Sequence, residues 1–155
     1  MFNSVLPLPG LRVLVIEAEP DSLLLLTLIL ECHQMQVSTA DSIPVALEMM
    51  RSVQPNIILL NATLFNLSSA WLQLRQRLDV VSVSENKDAV GTSIPIVAVL
   101  DSIREVDEIW LRNQGFQGYI YKPLYKQQVI EVIQQVFLQR PKLNLVKGTA
   151  RIYHS

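Results

Sequence analysis

Five short apolar runs punctuate this chain, and most are followed by a stretch whose apolar positions recur at helical spacing. Arg12-Val13-Leu14-Val15-Ile16 has the near-continuous apolarity of a strand covered on both faces, and it breaks at Glu17-Ala18-Glu19-Pro20-Asp21. Asp21 or Ser22 is placed to cap a helix running to about Gln34. A short second strand is predicted over 37–39. Ser42 then begins a helix with Pro44 tolerated in its first turn and Ile43, Ala46, Leu47 and Met50 at helical spacing. The third strand runs over 57–61 and a helix over about 69–78. The stretch 82–92, which holds Ser, Asn, Lys, Asp and Gly, reads as an exposed loop. Ile94-Pro95-Ile96-Val97-Ala98-Val99-Leu100 is the fourth strand, with Pro95 at its start, where a missing N–H is tolerable. Asp101 or Ser102 caps the next helix, which ends at Gln114-Gly115, and Gly118-Tyr119-Ile120-Tyr121 is the fifth strand. After Lys122-Pro123, a turn in which a cis bond is permitted, a last helix carries Val129, Val132, Ile133 and Val136 on one face.

Strands alternating with helices predict a parallel sheet with helices on both faces, joined by right-handed crossovers. Residues 1–10 read as an N-terminal extension, 11–138 as the domain and 139–155 as a tail. That tail holds Lys142, Lys147 and Arg151 and no acidic residue. The expectation is a solvated tail. The alternatives are disorder, folding back on the domain, or adding to a partner's sheet.

Composition narrows the function classes. The 155 residues and 17.5 kDa suit one domain, half the residues are hydrophobic, and 17% are charged, below the usual quarter. That balance favours a surface that binds another protein. A net charge of -1 and a pI near 6.1 give no electrostatic footprint for nucleic acid. Cys32 is the only cysteine, which rules out an intrachain disulfide or a thiolate cluster and suits a packing role. The apolar run 23–30 is too short to span a bilayer, and 1–10 lacks the features of a signal peptide. A cytoplasmic protein is expected, and the two sequons at Asn61 and Asn66 are taken as chance. His33 and His154 lack metal-ligand spacing. No Ser/His/Asp arrangement, P-loop or GxGxxG fingerprint is present. The expectation is no enzyme, no cofactor and no metal.

The runs 13–21 and 55–61, Ile94-Pro95-Ile96-Val97-Ala98, and Gly115-Phe116-Gln117-Gly118-Tyr119-Ile120-Tyr121-Lys122-Pro123 together resemble the receiver domain of bacterial two-component response regulators. The resemblance covers about residues 11–137. It implies a flavodoxin-like (βα)5 doubly wound sandwich, α/β in class, with a five-stranded parallel sheet. It also implies a phosphorylation pocket, and there the chain departs from the pattern. Glu17 matches the first of two acidic residues that help bind magnesium, but Ala18 stands at the second. Asn61 stands at the phosphoacceptor aspartate and Leu100 at the hydroxyl residue ending the fourth strand. Lys122 is kept, and Tyr119 matches the aromatic switch residue. A carboxamide is a far poorer nucleophile than the carboxylate that would form an acyl phosphate. Lys122 is then either a remnant that binds an anion or, as the plainer reading, the partner of Glu17 or Asn61.

The expectation is a pseudo-receiver: an atypical response regulator that acts as a phosphorylation-independent interaction module for signalling or regulatory proteins, with a homodimer as one possible form. The alternative is a sensor that binds a small molecule or ion in the altered pocket. A flavodoxin-like enzyme or electron carrier is a third option. The contact surface implied by the resemblance is the face of the fourth helix, fifth strand and fifth helix. Its candidates are Arg104, Glu108, Trp110, Tyr121 and Tyr125. Trp110 either faces outward as a binding anchor or turns inward beside Val106. Trp71 poses the same choice.

Overall fold

The computed structural model describes residues 8–62, 69–85, 94–101, 108–138 and 151–152. Its strands are β1 (Arg12–Ile16), β2 (Gln36–Ala40), β3 (Ile57–Asn61), β4 (Ile96–Leu100), β5 (Gly118–Tyr121) and β6 (Arg151–Ile152). The helices are α1 (Pro20–Cys32), α2 (Ile43–Val53), α3 (Ser69–Glu85), α4 (Glu108–Asn113) and α5 (Lys126–Leu138). The strand order is β2-β1-β3-β4-β5-β6, with β1 to β5 parallel and β6 antiparallel to β5. The five-stranded parallel sheet is therefore the doubly wound one expected, with an added antiparallel edge.

Alternation along the central strands sorts side chains to opposite faces. Val13, Val15, Leu59, Val97, Val99 and Ile120 pack with Leu26 and Leu30 of α1 and Val129, Ile133 and Val136 of α5. Leu14, Ile16, Ile58, Leu60, Ala98 and Leu100 pack on the other face with α2, α3 and α4, through Ala46, Leu74 and Leu111 among others. Because both faces are covered, β3 and β4 are buried at every position, which explains their unbroken apolarity.

The local signals are partly as expected. The Ser42 side chain accepts a hydrogen bond from the Val45 N–H at 3.3 Å and caps α2. Gly115 ends the turn after α4 at φ 101°, where an L side chain would be strained. At α1, however, the helix starts at Pro20 and the cap is Glu19, which makes no side-chain cap bond. Proline's fixed φ suits the first helical position, so it sets the start ahead of Asp21 and Ser22. Helix α3 extends to Glu85, so residues 82–85, expected in the loop, are helical. The expectation of a solvated tail is corrected at Arg151–Ile152, which folds back onto the β5 edge. Arg104 and Val106 lie outside the described residues.

Candidate functional site

Parallel sheets of this kind present their functional groups at the carboxyl ends of the strands, and the charged cluster of this chain gathers there. Glu17 follows β1, Asn61 ends β3, Asp101 follows β4 and Lys122 follows β5. Glu17 and Asn61 are among the few buried polar residues, at 1% and 5% exposure. The Asn61 amide Nδ2 donates to Glu17 Oε2 at 2.8 Å, and the Glu19 backbone N–H donates to the same oxygen at 3.0 Å. The other Glu17 oxygen, Oε1, lies 3.3 Å from Lys122 Nζ as an ion pair without hydrogen-bond alignment.

Lys122 is the hub. Besides Glu17, its ammonium lies 3.1 Å from Glu19 Oε1 and 3.0 Å from Asp101 Oδ1. Three carboxylates against one ammonium leave a formal charge of −2. Burial alone would lower the lysine pKa. The hydrogen bonds to Asp101 and Glu19 and the Glu17 charge outweigh it and raise the pKa above its ordinary 10.5. Glu19 is held below its ordinary 4.5, first by the Ser22 hydroxyl that donates to it and then by Lys122. Sequence reasoning named Glu17 as a partner of Lys122 but missed Glu19 and Asp101. Their signal was position: both lie just past the carboxyl ends of strands.

The magnesium that the receiver resemblance implies does not fit this donor set. Glu17 is already engaged by an amide, a backbone N–H and an ammonium, and Ala18 offers no side-chain oxygen. Among the described residues no group of three or more His, Cys, Asp or Glu is placed to hold a metal ion. The side of the pocket formed by Leu100 is apolar. Leu100 is 1% exposed and shares a core cluster with Tyr119. Tyr119 is itself buried, and its hydroxyl donates to Glu108 Oε2 on α4 at 2.7 Å. Its ring meets Tyr121 edge to face at 5.1 Å. Burial, followed by the Glu108 charge, raises the Tyr121 pKa.

The contact-face candidates separate on inspection. Tyr125 is 63% exposed, Glu108 is exposed and Tyr121 is half-buried. Trp110 is half-buried against the core, while its neighbour Ile109 points outward at 57% exposure. Trp71 is buried, stacked on Phe116 at 5.1 Å, and its indole N–H donates to Gln114 Oε1 at 3.1 Å. Leu24, Leu25 and Leu28 of α1 are exposed at 59%, 41% and 52%, a patch the sequence reading missed. An apolar run on every side of a helix that buries only one side was the signal for it. No helix among the described residues is long and apolar enough to cross a membrane.

A parallel five-stranded sheet in this order, with its charged cluster at the carboxyl ends and a lysine followed by a cis Lys122–Pro123 bond, has the receiver fold of response regulators. The receiver domain of the response regulator Ssk1 of Saccharomyces cerevisiae, crystallised with the histidine phosphotransfer protein Ypd1, matches at TM-score 0.70. It is 19% identical, and the match covers 92% of this chain and 97% of that domain. A Chloroflexus aurantiacus protein assigned as a response regulator matches at TM-score 0.67 and 17% identity, over 84% of this chain and 98% of its own. In sequence, the chain is similar to Protein PilH of Pseudomonas aeruginosa, 26% identical over 125 residues that make up 81% of this chain and 96% of PilH. No protein-family model matches the sequence.

Proposed function

We propose that this chain is a pseudo-receiver, a response-regulator-like module that works through protein contacts and forms no aspartyl phosphate. The observation that carries this reading is the Asn61–Glu17 hydrogen bond. At the phosphoacceptor position stands a neutral amide acting as a donor. The surroundings agree with it. A pocket of formal charge −2 repels an incoming phosphoryl dianion. At an effective dielectric near 20, two unit charges about 4 Å apart interact by about 4 kcal/mol, less where solvent screens them. Leu100 offers no hydroxyl for a phosphoryl oxygen, and the buried Tyr119 is already bonded to Glu108.

No catalysis is assigned to the chain. Its partners on this reading are signalling proteins, the class to which the histidine phosphotransfer partner of the Ssk1 domain belongs. The contact face we assign joins Glu108 and Ile109 of α4, Tyr121 of β5 and Tyr125 beside α5. A small-molecule sensor finds less support, because Lys122 itself fills the centre of the pocket. The test is a two-dimensional amide NMR titration with magnesium and beryllofluoride, paired with mass spectrometry after incubation with acetyl phosphate. Unmoved amides at Glu17, Asn61 and Lys122 and no mass increase are expected. Saturable shifts spreading from the pocket to Tyr119, or a hydroxylamine-labile phosphoryl adduct, would overturn the reading.

A further inference from the structure

The two edges of the sheet are unlike. The β2 edge, Gln36-Val37-Ser38-Thr39-Ala40, is largely polar and partly exposed. The β5 strand, Gly118-Tyr119-Ile120-Tyr121, has no charge and no proline and is mostly buried. A short uncharged strand of this kind, left open, is a ready template for pairing with another chain. In this protein β6 covers it, in antiparallel register, with Gly118 opposite Ile152 and Tyr119 opposite Arg151.

That cover is slight. Each ladder among β1 to β5 joins four or five residue pairs, whereas β5 and β6 join two. Among the described residues, Ile120 and Tyr121 have no strand partner on that edge. The stretch 139–150 that connects α5 to β6 is twelve residues long and reaches at most about 40 Å when extended. Tethering raises the local concentration of β6 at the edge, so the chain closes its own edge without needing a long ladder. A longer extended segment that runs beside all of Gly118–Tyr121 would form more main-chain hydrogen bonds than β6 does. Strand addition of this kind takes its affinity from the backbone and its selectivity from alternate side chains.

We infer that the β5 edge is a strand-addition site, held shut by the chain's own C-terminal strand and opened when an extended segment of a partner protein displaces it. The segment that occupies it here comes from a tail with Lys142, Lys147 and Arg151 and no acidic residue. The partner segment that fits is therefore extended, rich in β-formers, and neutral to basic. The inference concerns backbone pairing and stands apart from the phosphorylation chemistry of Asn61.

The test compares the full chain with its full-length Ile152→Pro variant, since proline has no N–H and does not fit the ladder. The probe is a synthetic peptide of residues 147–155. Hydrogen exchange is expected to quicken at Gly118–Tyr121 in the variant by about ten-fold or more, with Val13–Ile16 unchanged as the control for folding. The peptide is expected to bind the variant saturably and restore that protection, and to bind the natural chain at least about ten-fold more weakly because the tethered strand competes. Equal exchange at β5 in both proteins would overturn the inference. So would a peptide that binds neither protein, or both equally. Because no readout involves phosphate, these outcomes are independent of whether Asn61 accepts a phosphoryl group.

Discussion

Asn61 and Lys122 each fix what a single substitution does to the pocket. Asn61 donates to Glu17 at 2.8 Å, so Asn61→Asp turns a hydrogen bond into two carboxylates in contact at two buried positions. Like charges so placed cannot both ionise cheaply. We expect Asn61→Asp to lower stability by about 1–3 kcal/mol, measured by urea unfolding at neutral pH, with part of the loss recovered in mild acid. Lys122→Met leaves Glu17 buried without its cation. We expect a loss of about 3 kcal/mol, measured by urea unfolding, and a smaller one in Lys122→Arg, which keeps a positive charge among the three carboxylates. An equal loss in both variants would mean packing, not charge, is what Lys122 supplies. The pH dependence follows from the directions of the shifts. The raised Lys122 pKa stabilises the fold fully below 10.5, and that contribution fades as pH climbs through the folded value. The lowered Glu19 pKa stabilises above 4.5, and that contribution fades as pH falls through the folded value. The thermal midpoint should therefore be flat from about pH 5 to pH 10 as far as these groups decide it.

Elements whose signal is local were legible in the sequence. The β1, β3 and β5 strands, the Ser42 cap and the Gly115 stop are fixed by nearest-neighbour chemistry, and the structure has them where the residues put them. Helix α3 was cut short because Ser82 and Ser84 read as loop residues, although the helix passes through both. At the pocket, the identities of Glu17, Asn61, Leu100 and Lys122 were legible. The roles of Glu19 and Asp101 were not, because the Lys122 ammonium gathers residues that follow different strands, Glu19 from 103 positions away and Asp101 from the end of β4. Burial of an aromatic is another such non-local property. Trp71 is locked by its stack on Phe116 and its bond to Gln114, so Trp71→Ala should cost about 3–5 kcal/mol, read from chemical unfolding. A change under about 1 kcal/mol would mean α3 packs less tightly than these contacts imply.

Across the described residues, two covered sheet faces leave the helices' outer sides and the sheet edges as the places where partners can meet the chain. Ile109 and Tyr125 are exposed on the assigned contact face at 57% and 63%. Ile109→Arg should leave stability within about 0.5 kcal/mol of the natural protein. It should weaken association with a signalling partner, or with a second copy, by about ten-fold or more. Light scattering and calorimetry on the purified pair measure both effects, and an unchanged affinity would remove α4 from the face. On the pseudo-receiver reading proposed above, the Asn61–Glu17 bond also bears on which changes are open to the chain. Aspartate at position 61 alone would meet the buried Glu17 carboxylate, and Ala18 and Leu100 would still lack the groups a phosphoryl switch uses. Gaining such a switch would take several substitutions at once, the first of them harmful by itself. That makes a ratchet, in which new signalling roles are more accessible through the tail and the helix faces than through the pocket.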